Sequence, residues 1–228
     1  MKCDKRHMLL YAVTDRAWTG KQTLYEQVEA ALKGGVTCVQ LREKELGEAA
    51  FLREARELSA LCRRYGVPFL VNDNVDIALA SGADGVHVGQ EDMDPAQVRL
   101  RAGKDLLLGV SVHTVAEARE AVRKGADYLG VGAMFPTGTK ADAERVPRQI
   151  LRDICAAVNV PVVAIGGLNR ESIPLLSESG VDGVALVSAI FSAEDIEGTC
   201  RELLALSERL AGPLHGGKSE RSGKEKAR

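Results

Sequence analysis

Gln40, Arg42 and Lys44 stand at alternate positions where an apolar run that begins at Val36 comes to an end. In an extended chain successive side chains face opposite ways, so these three share a face and together suit an anionic ligand. Two carboxylates follow other short apolar runs, in Asn72-Asp73-Asn74 and Gly89-Gln90-Glu91-Asp92. Asp73 and Asp92 on neighbouring loops suit a hard cation such as Mg2+ that also takes phosphate oxygens. The competing role for each is to cap a helix, since Asp73 precedes a helical stretch from Val75 and Asp92 lies near Pro95; Asp94 is the better cap for Pro95, which frees Asp92.

Thr137, Thr139 and Lys140 share the longest loop, Phe135-Pro136-Thr137-Gly138-Thr139-Lys140, where they can grip a phosphate while the loop shields the site. Gly166-Gly167-Leu168-Asn169 and Ser188-Ala189-Ile190 end two further apolar runs. Glycines there let backbone N–H groups approach a ligand, and the helix starts that follow favour an anion. Arg42, Lys44, Lys140 and a divalent ion, set against Asp73 and Asp92, leave about three positive charges, which suits a diphosphate carrying about two to three negative ones. His87 is expected to be a packed, hydrogen-bonded histidine inside a strand, and His113 to belong to a helix start, so neither is assigned chemistry. Trp18 and Phe135 suit stacking on a heterocycle and covering a cavity mouth equally well.

The elements that must position these groups are legible as periodicity. Short apolar runs occur at 8–13, 36–41, 69–71, 85–88, 106–110, 128–131, 162–165 and 184–187. Helical spacings lie between them: Leu24, Val28, Ala31 and Leu32; Phe51, Ala55, Leu58 and Cys62; Val115, Ala118 and Val122; Ile196, Cys200 and Leu203. Continuous apolar strands separated by amphipathic helices imply a parallel sheet covered by helices. A repeat selects the topology: Gly34-Gly35-Val36-Thr37, Gly82-Ala83-Asp84-Gly85, Gly125-Ala126-Asp127-Tyr128 and Gly180-Val181-Asp182-Gly183 introduce the second, fourth, sixth and eighth strands. The first glycine of each suits the left-handed residue that ends a helix. A two-unit repeat run four times fits a closed ring better than an open sheet with edges, so the expected fold is α/β, a single (β/α)8 TIM barrel, with its chemistry at the carboxyl ends of the strands.

With 228 residues, 45% of them hydrophobic, the chain is large enough for one full core. We expect one catalytic domain over residues 1–213 and a disordered charged tail over 214–228, where Gly, Ser and charge replace apolar residues. A net charge of −2 and a pI near 6.1 give no reason to expect nucleic acid or a membrane surface as a partner. No signal-type apolar stretch opens the chain, and its five cysteines are odd in number and lack CxxC pairing; the expected location is a reducing cytoplasm.

Taken in order, Gln40-Leu41-Arg42-Glu43-Lys44, Val71-Asn72-Asp73, 84–92, Gly109-Val110-Ser111, 135–140, Ala164-Ile165-Gly166-Gly167 and 186–190 closely resemble thiamine-phosphate synthase. The resemblance runs from Tyr11 to Ile190. It implies a transferase that joins 4-amino-2-methyl-5-(diphosphomethyl)pyrimidine to 4-methyl-5-(2-phosphoethyl)thiazole, in its plain or carboxylated form, and releases pyrophosphate. It further implies that Gln40, Leu41, Arg42, Glu43, Lys44, Asn72, Ser111 and Lys140 hold the pyrimidine diphosphate, with Arg42, Lys44, Ser111 and Lys140 serving the reaction. Asp73 and Asp92 would bind Mg2+, and Thr137, Thr139, Gly167, Val187 and Ser188 the thiazole phosphate. In such enzymes the C–O bond to diphosphate breaks first and the thiazole nitrogen captures the resulting cation. Small-molecule substrates are the implied partners, and assembly into a homo-oligomer is left open.

Two other readings compete. A related thiazole tautomerase uses the same barrel but carries a histidine in the loop after strand six, where this chain has Ala133-Met134. The synthase more usually has Gly-Pro-Ile where Gly132-Ala133-Met134 stands, a modest departure. The third reading is a non-catalytic barrel that binds a phosphorylated metabolite; the full set of cations and carboxylates argues against it.

Overall fold

A computed structural model describes residues 3–20, 22–138 and 145–212. Eight parallel strands close into a barrel in sequence order: β1 (Leu10–Val13), β2 (Cys38–Leu41), β3 (Phe69–Asn72), β4 (Gly85–Val88), β5 (Leu107–Val112), β6 (Tyr128–Val131), β7 (Val162–Ile165) and β8 (Gly183–Leu186). Around them run α1 (Leu24–Lys33), α2 (Glu48–Tyr65), α3 (Val75–Ser81), α4 (Pro95–Ala102), α5 (Val115–Arg123), α6 (Arg148–Ala157), α7 (Ser188–Phe191) and α8 (Ile196–Ala211). The expected TIM barrel is the observed fold.

Strand parity creates two cores. Leu10, Ala12, Val39, Leu41, Phe69, Val71, Val86 and Val88 face outward and pack with Val28, Phe51, Leu58, Cys62 and Cys200 of the helices. Tyr11, Val13, Cys38, Leu70, Tyr128, Val163 and Ala185 form a separate cluster with Met8, inside the barrel. Strands buried on both faces need no polar side, which is why the runs read as continuous apolar stretches.

The four-fold repeat has a physical basis at the strand entrances. The Asp84 carboxylate accepts from Phe69 N at 3.0 Å, Asp127 from Leu108 N at 2.8 Å and Asp182 from Val162 N at 2.9 Å, while Thr37 Oγ1 accepts from Leu10 N at 2.9 Å. Each even strand thus satisfies a backbone donor at the start of its odd neighbour, a group that would otherwise be left unpaired. The glycine expectation holds at Gly82, Gly125 and Gly180, all with positive φ, but not at the first repeat. There Gly34 ends α1 in right-handed geometry and Gly35 takes φ 95°. Gly34 answers to packing instead, since a Cβ would lie 2.5 Å from Glu197 O of α8.

Between β7 and β8 the described chain forms a 3-10 turn, Ile173–Leu176, rather than an α-helix. Pro174 removes a backbone donor there. Among the described residues no helix is long and apolar enough to cross a membrane. Thr139, Lys140 and the 214–228 segment lie outside the described residues.

Candidate active site

A cavity of about 690 Å³ opens where the strands end. Gln40, Arg42, Lys44, Asn72, Asp73, Asp92, Ser111, Thr137, Gly167, Val187 and Ser188 all line it. The stretch after β2 divides by parity, as its spacing predicts. Leu41 is fully buried among the outward-facing residues, and Glu43 turns its carboxylate to Arg16, at 2.6 Å, and to the N–H groups of Glu45 and Leu46. Neither lines the cavity. Burial pushes the Glu43 carboxyl up, but these donors outweigh it and leave its pKa below the usual value.

Two cations stand at the rim, each held by a carboxylate. Arg42 Nη1 lies 2.9 Å from Asp15 Oδ2, and Arg42 N donates to Thr14 Oγ1 at 3.0 Å, so the end of β1 aims the guanidinium. Lys44 Nζ lies 2.5 Å from Asp73 Oδ2.

Asp73 has φ 62°, a left-handed conformation that a short polar residue tolerates, and its N–H donates to His87 O at 2.8 Å. The α3 cap is Asn74, whose Oδ1 accepts from Ile77 N, and the α4 cap is Asp94, which accepts from Ala96 N. Capping therefore consumes neither Asp73 nor Asp92. Asp92 Oδ2 accepts from Gly89 N at 2.7 Å, which folds its loop back toward Asp73.

Burial raises the Asp73 pKa; the Lys44 ammonium opposes this and the adjacent Asp92 carboxylate reinforces it, for a net rise. Two carboxylates this close, one of them paired with the Lys44 ammonium, fit a divalent cation. Among the described residues no cluster of three or more His, Cys, Asp or Glu could hold a metal alone. Mg2+ commonly takes one or two carboxylates and completes its shell with water and phosphate oxygens.

The other end of the cavity is built by close backbone approach. Met134 N donates to Ile165 O at 2.9 Å and Phe135 N to Gly166 O at 3.0 Å, so the loop after β6 continues the sheet along β7. Gly167 has φ 64°, and a Cβ on it would lie 2.4 Å from Pro136 O and 2.7 Å from Phe135 O. Only glycine lets that loop pack here and bring Thr137 to the cavity that Val187 and Ser188 also line.

The cavity floor holds residues that the sequence reading assigned no chemistry. Tyr11, His87 and Tyr128 line it together with Gln40 and Ser111. His87 is packed and hydrogen-bonded, as expected, yet it also faces the cavity. Its Nδ1 lies 2.8 Å from Tyr128 OH and its Nε2 2.8 Å from Ser111 Oγ. Burial pushes the imidazole pKa down to about 4, so it is neutral at pH 7. The available signal was parity: Tyr11 and Tyr128 are polar-tipped aromatics at inward positions of otherwise apolar strands. Neither Trp18 nor Phe135 lines the cavity.

A family model described as thiamine monophosphate synthase matches residues 10–190. The thiamine-phosphate synthase of Clostridium acetobutylicum is 46% identical over 200 residues, covering 88% of this chain and 95% of the relative. That of Ruminiclostridium cellulolyticum is 48% identical over 197 residues, covering 86% and 94%. Among solved structures, thiamine phosphate pyrophosphorylase from Pyrococcus furiosus superposes with a TM-score of 0.84 at 39% identity, covering 91% of this chain and 99% of that one. A geranylgeranylglyceryl phosphate synthase from Thermoplasma acidophilum, 12% identical with a TM-score of 0.65, shares the fold alone. With the barrel, the cavity and these relatives in agreement, the chain belongs to the thiamine monophosphate synthase family, transferases of thiamine biosynthesis.

Proposed function

We propose that this cavity joins 4-amino-2-methyl-5-(diphosphomethyl)pyrimidine to 4-methyl-5-(2-phosphoethyl)thiazole, or to its carboxylated form with release of CO2, in a Mg2+-dependent dissociative reaction. The observation that carries the reading is the division of one cavity into two anion-ready ends: Arg42, Lys44, Asp73 and Asp92 at one, Gly167, Thr137 and Ser188 at the other. Asp73 and Asp92 would hold Mg2+, which supplies positive charge to the diphosphate oxygens. Arg42, Lys44 and Lys140 stabilise the same oxygens as the C–O bond breaks and its electron pair leaves with pyrophosphate.

Gln40, Asn72 and Ser111 hold the pyrimidine, and Leu41 and Glu43 support that end through packing and through Arg16. The thiazole nitrogen then donates its lone pair to the pyrimidine-methyl carbon, forming the C–N bond. Thr137, Thr139, Gly167, Val187 and Ser188 fix the thiazole by its phosphate so that the nitrogen faces that carbon. No side-chain nucleophile is needed, and burial of the reacting carbon between the two bound substrates would keep water from the cation. The proposed setting is the cytoplasm.

Purified protein given both substrates and Mg2+ is expected to form thiamine phosphate and pyrophosphate in equal amounts. Isomerisation of a thiazole without coupling would favour the tautomerase instead. Binding of either substrate with no turnover would favour a non-catalytic barrel.

A further inference from the structure

Five polar side chains from five strands form one hydrogen-bonded chain across the barrel interior. Gln40 Nε2 donates to Tyr11 OH at 2.7 Å, and Tyr11 OH lies 2.8 Å from Tyr128 OH. Tyr128 OH lies 2.8 Å from His87 Nδ1, and His87 Nε2 lies 2.8 Å from Ser111 Oγ. Tyr11 and Tyr128 are fully buried, and their rings tilt against each other with centroids 5.9 Å apart.

Gly109 makes the room for this arrangement. A Cβ there would sit 2.2 Å from Tyr128 OH and 2.4 Å from His87 Nδ1.

Proton counting gives the chain a direction. An amide nitrogen only donates, so the Tyr11 oxygen accepts from Gln40, and of its remaining partners the Tyr128 oxygen is a much stronger acceptor for its proton than the Cys38 sulfur. The Tyr128 proton then goes to His87 Nδ1, the remaining acceptor beside this buried hydroxyl. An imidazole that accepts at Nδ1 carries its proton at Nε2 and donates it to Ser111 Oγ. The Ser111 proton has no place in that bond and is left for an acceptor in the cavity that Ser111 lines.

We propose that Tyr11, Tyr128 and His87 are positioning residues that fix Ser111 as a hydrogen-bond donor to the bound heteroaromatic ring, so that the site selects a ring nitrogen acceptor at that point. This rests on the reading that Gln40 and Ser111 hold the pyrimidine. Ring analogues that present C–H there lose the Ser111 bond, and one that presents N–H can use only the remaining Ser111 lone pair and leaves the Ser111 proton to another acceptor.

The test is Tyr128→Phe, which keeps the buried ring and removes one link, with binding of the pyrimidine diphosphate and of the thiazole phosphate measured separately by calorimetry. The expected result is pyrimidine affinity weaker by about tenfold, thiazole phosphate affinity unchanged, and no further loss when Tyr128→Phe is added to Ser111→Ala. In the wild type, replacing one pyrimidine ring nitrogen by C–H should cost a similar factor, and that cost should vanish in Ser111→Ala. Should Tyr128→Phe melt markedly earlier than the wild type, Tyr11→Phe breaks the adjacent link and serves as the second variant.

Equal losses for both ligands, or losses independent of Ser111, would overturn the proposal. A larger penalty for removing the exocyclic amino group than for removing any ring nitrogen would show that the chain runs the other way, and would also overturn it. A wild type that binds no pyrimidine diphosphate would remove the substrate reading itself, whereas tight wild-type binding unchanged in Tyr128→Phe would remove this proposal alone.

Discussion

Asp92→Asn lowers kcat/KM for coupling by about 10²- to 10³-fold while leaving the melting temperature unchanged or raised. The amide oxygen of Asn still accepts from Gly89 N, the 2.7 Å bond that folds the loop, so the backbone is retained. What disappears is a negative charge beside Asp73, whose own carboxyl is held above its usual pKa first by burial and in part by Asp92. Relieving that repulsion cannot destabilise the fold, yet it removes half of the carboxylate pair that fits Mg2+. Opposite signs for stability and activity are the signature of a site arranged for a ligand rather than for folding. A drop in melting temperature that tracks the drop in activity would assign Asp92 a structural role instead. Activity within twofold of wild type would remove it from the metal site.

Gly167→Ala acts at the opposite end of the cavity and is expected to reduce kcat/KM for the thiazole phosphate by about 10²-fold. Positive φ at that residue costs an L side chain about 1–2 kcal/mol. The larger effect is steric, because a Cβ 2.4 Å from Pro136 O must displace the loop that carries Thr137. A shift of about 1 Å there is enough to lose alignment of the reacting nitrogen. Steady-state kinetics with each substrate varied in turn checks this: the thiazole phosphate KM should rise while that of the pyrimidine diphosphate changes little. Equal changes in both would show that the loop matters to the whole cavity.

Much of this site was legible in the sequence because barrel chemistry collects where apolar runs end, and those ends can be read directly. The alternation of Gln40, Arg42 and Lys44 survives folding, with all three on the cavity and Leu41 and Glu43 turned away. The choice of Asp94 over Asp92 as helix cap followed from Pro95 and is the one observed. Pairings between distant strands were not legible. Nothing local to Arg42 points to Asp15, and nothing near Glu43 points to Arg16, because both pairs form across the β1–β2 contact. The chain from Gln40 to Ser111 depends on five strands meeting in register, so residue spacing alone could not reveal it. The repeated Asp of Gly-x-Asp was visible as a pattern, but its purpose appeared only once each carboxylate was seen to accept from the first donors of the preceding strand.

The proposed reaction turns on a diphosphate that leaves with the help of a divalent ion held by Asp73 and Asp92. Pyrophosphate release from the two substrates, followed first in excess chelator and then as Mg2+ is restored, measures this most directly. The expected result is no release in chelator and full recovery with Mg2+ in the wild type, with recovery in Asp92→Asn demanding far more Mg2+ or failing altogether. Release at the same rate with and without chelator would contradict it.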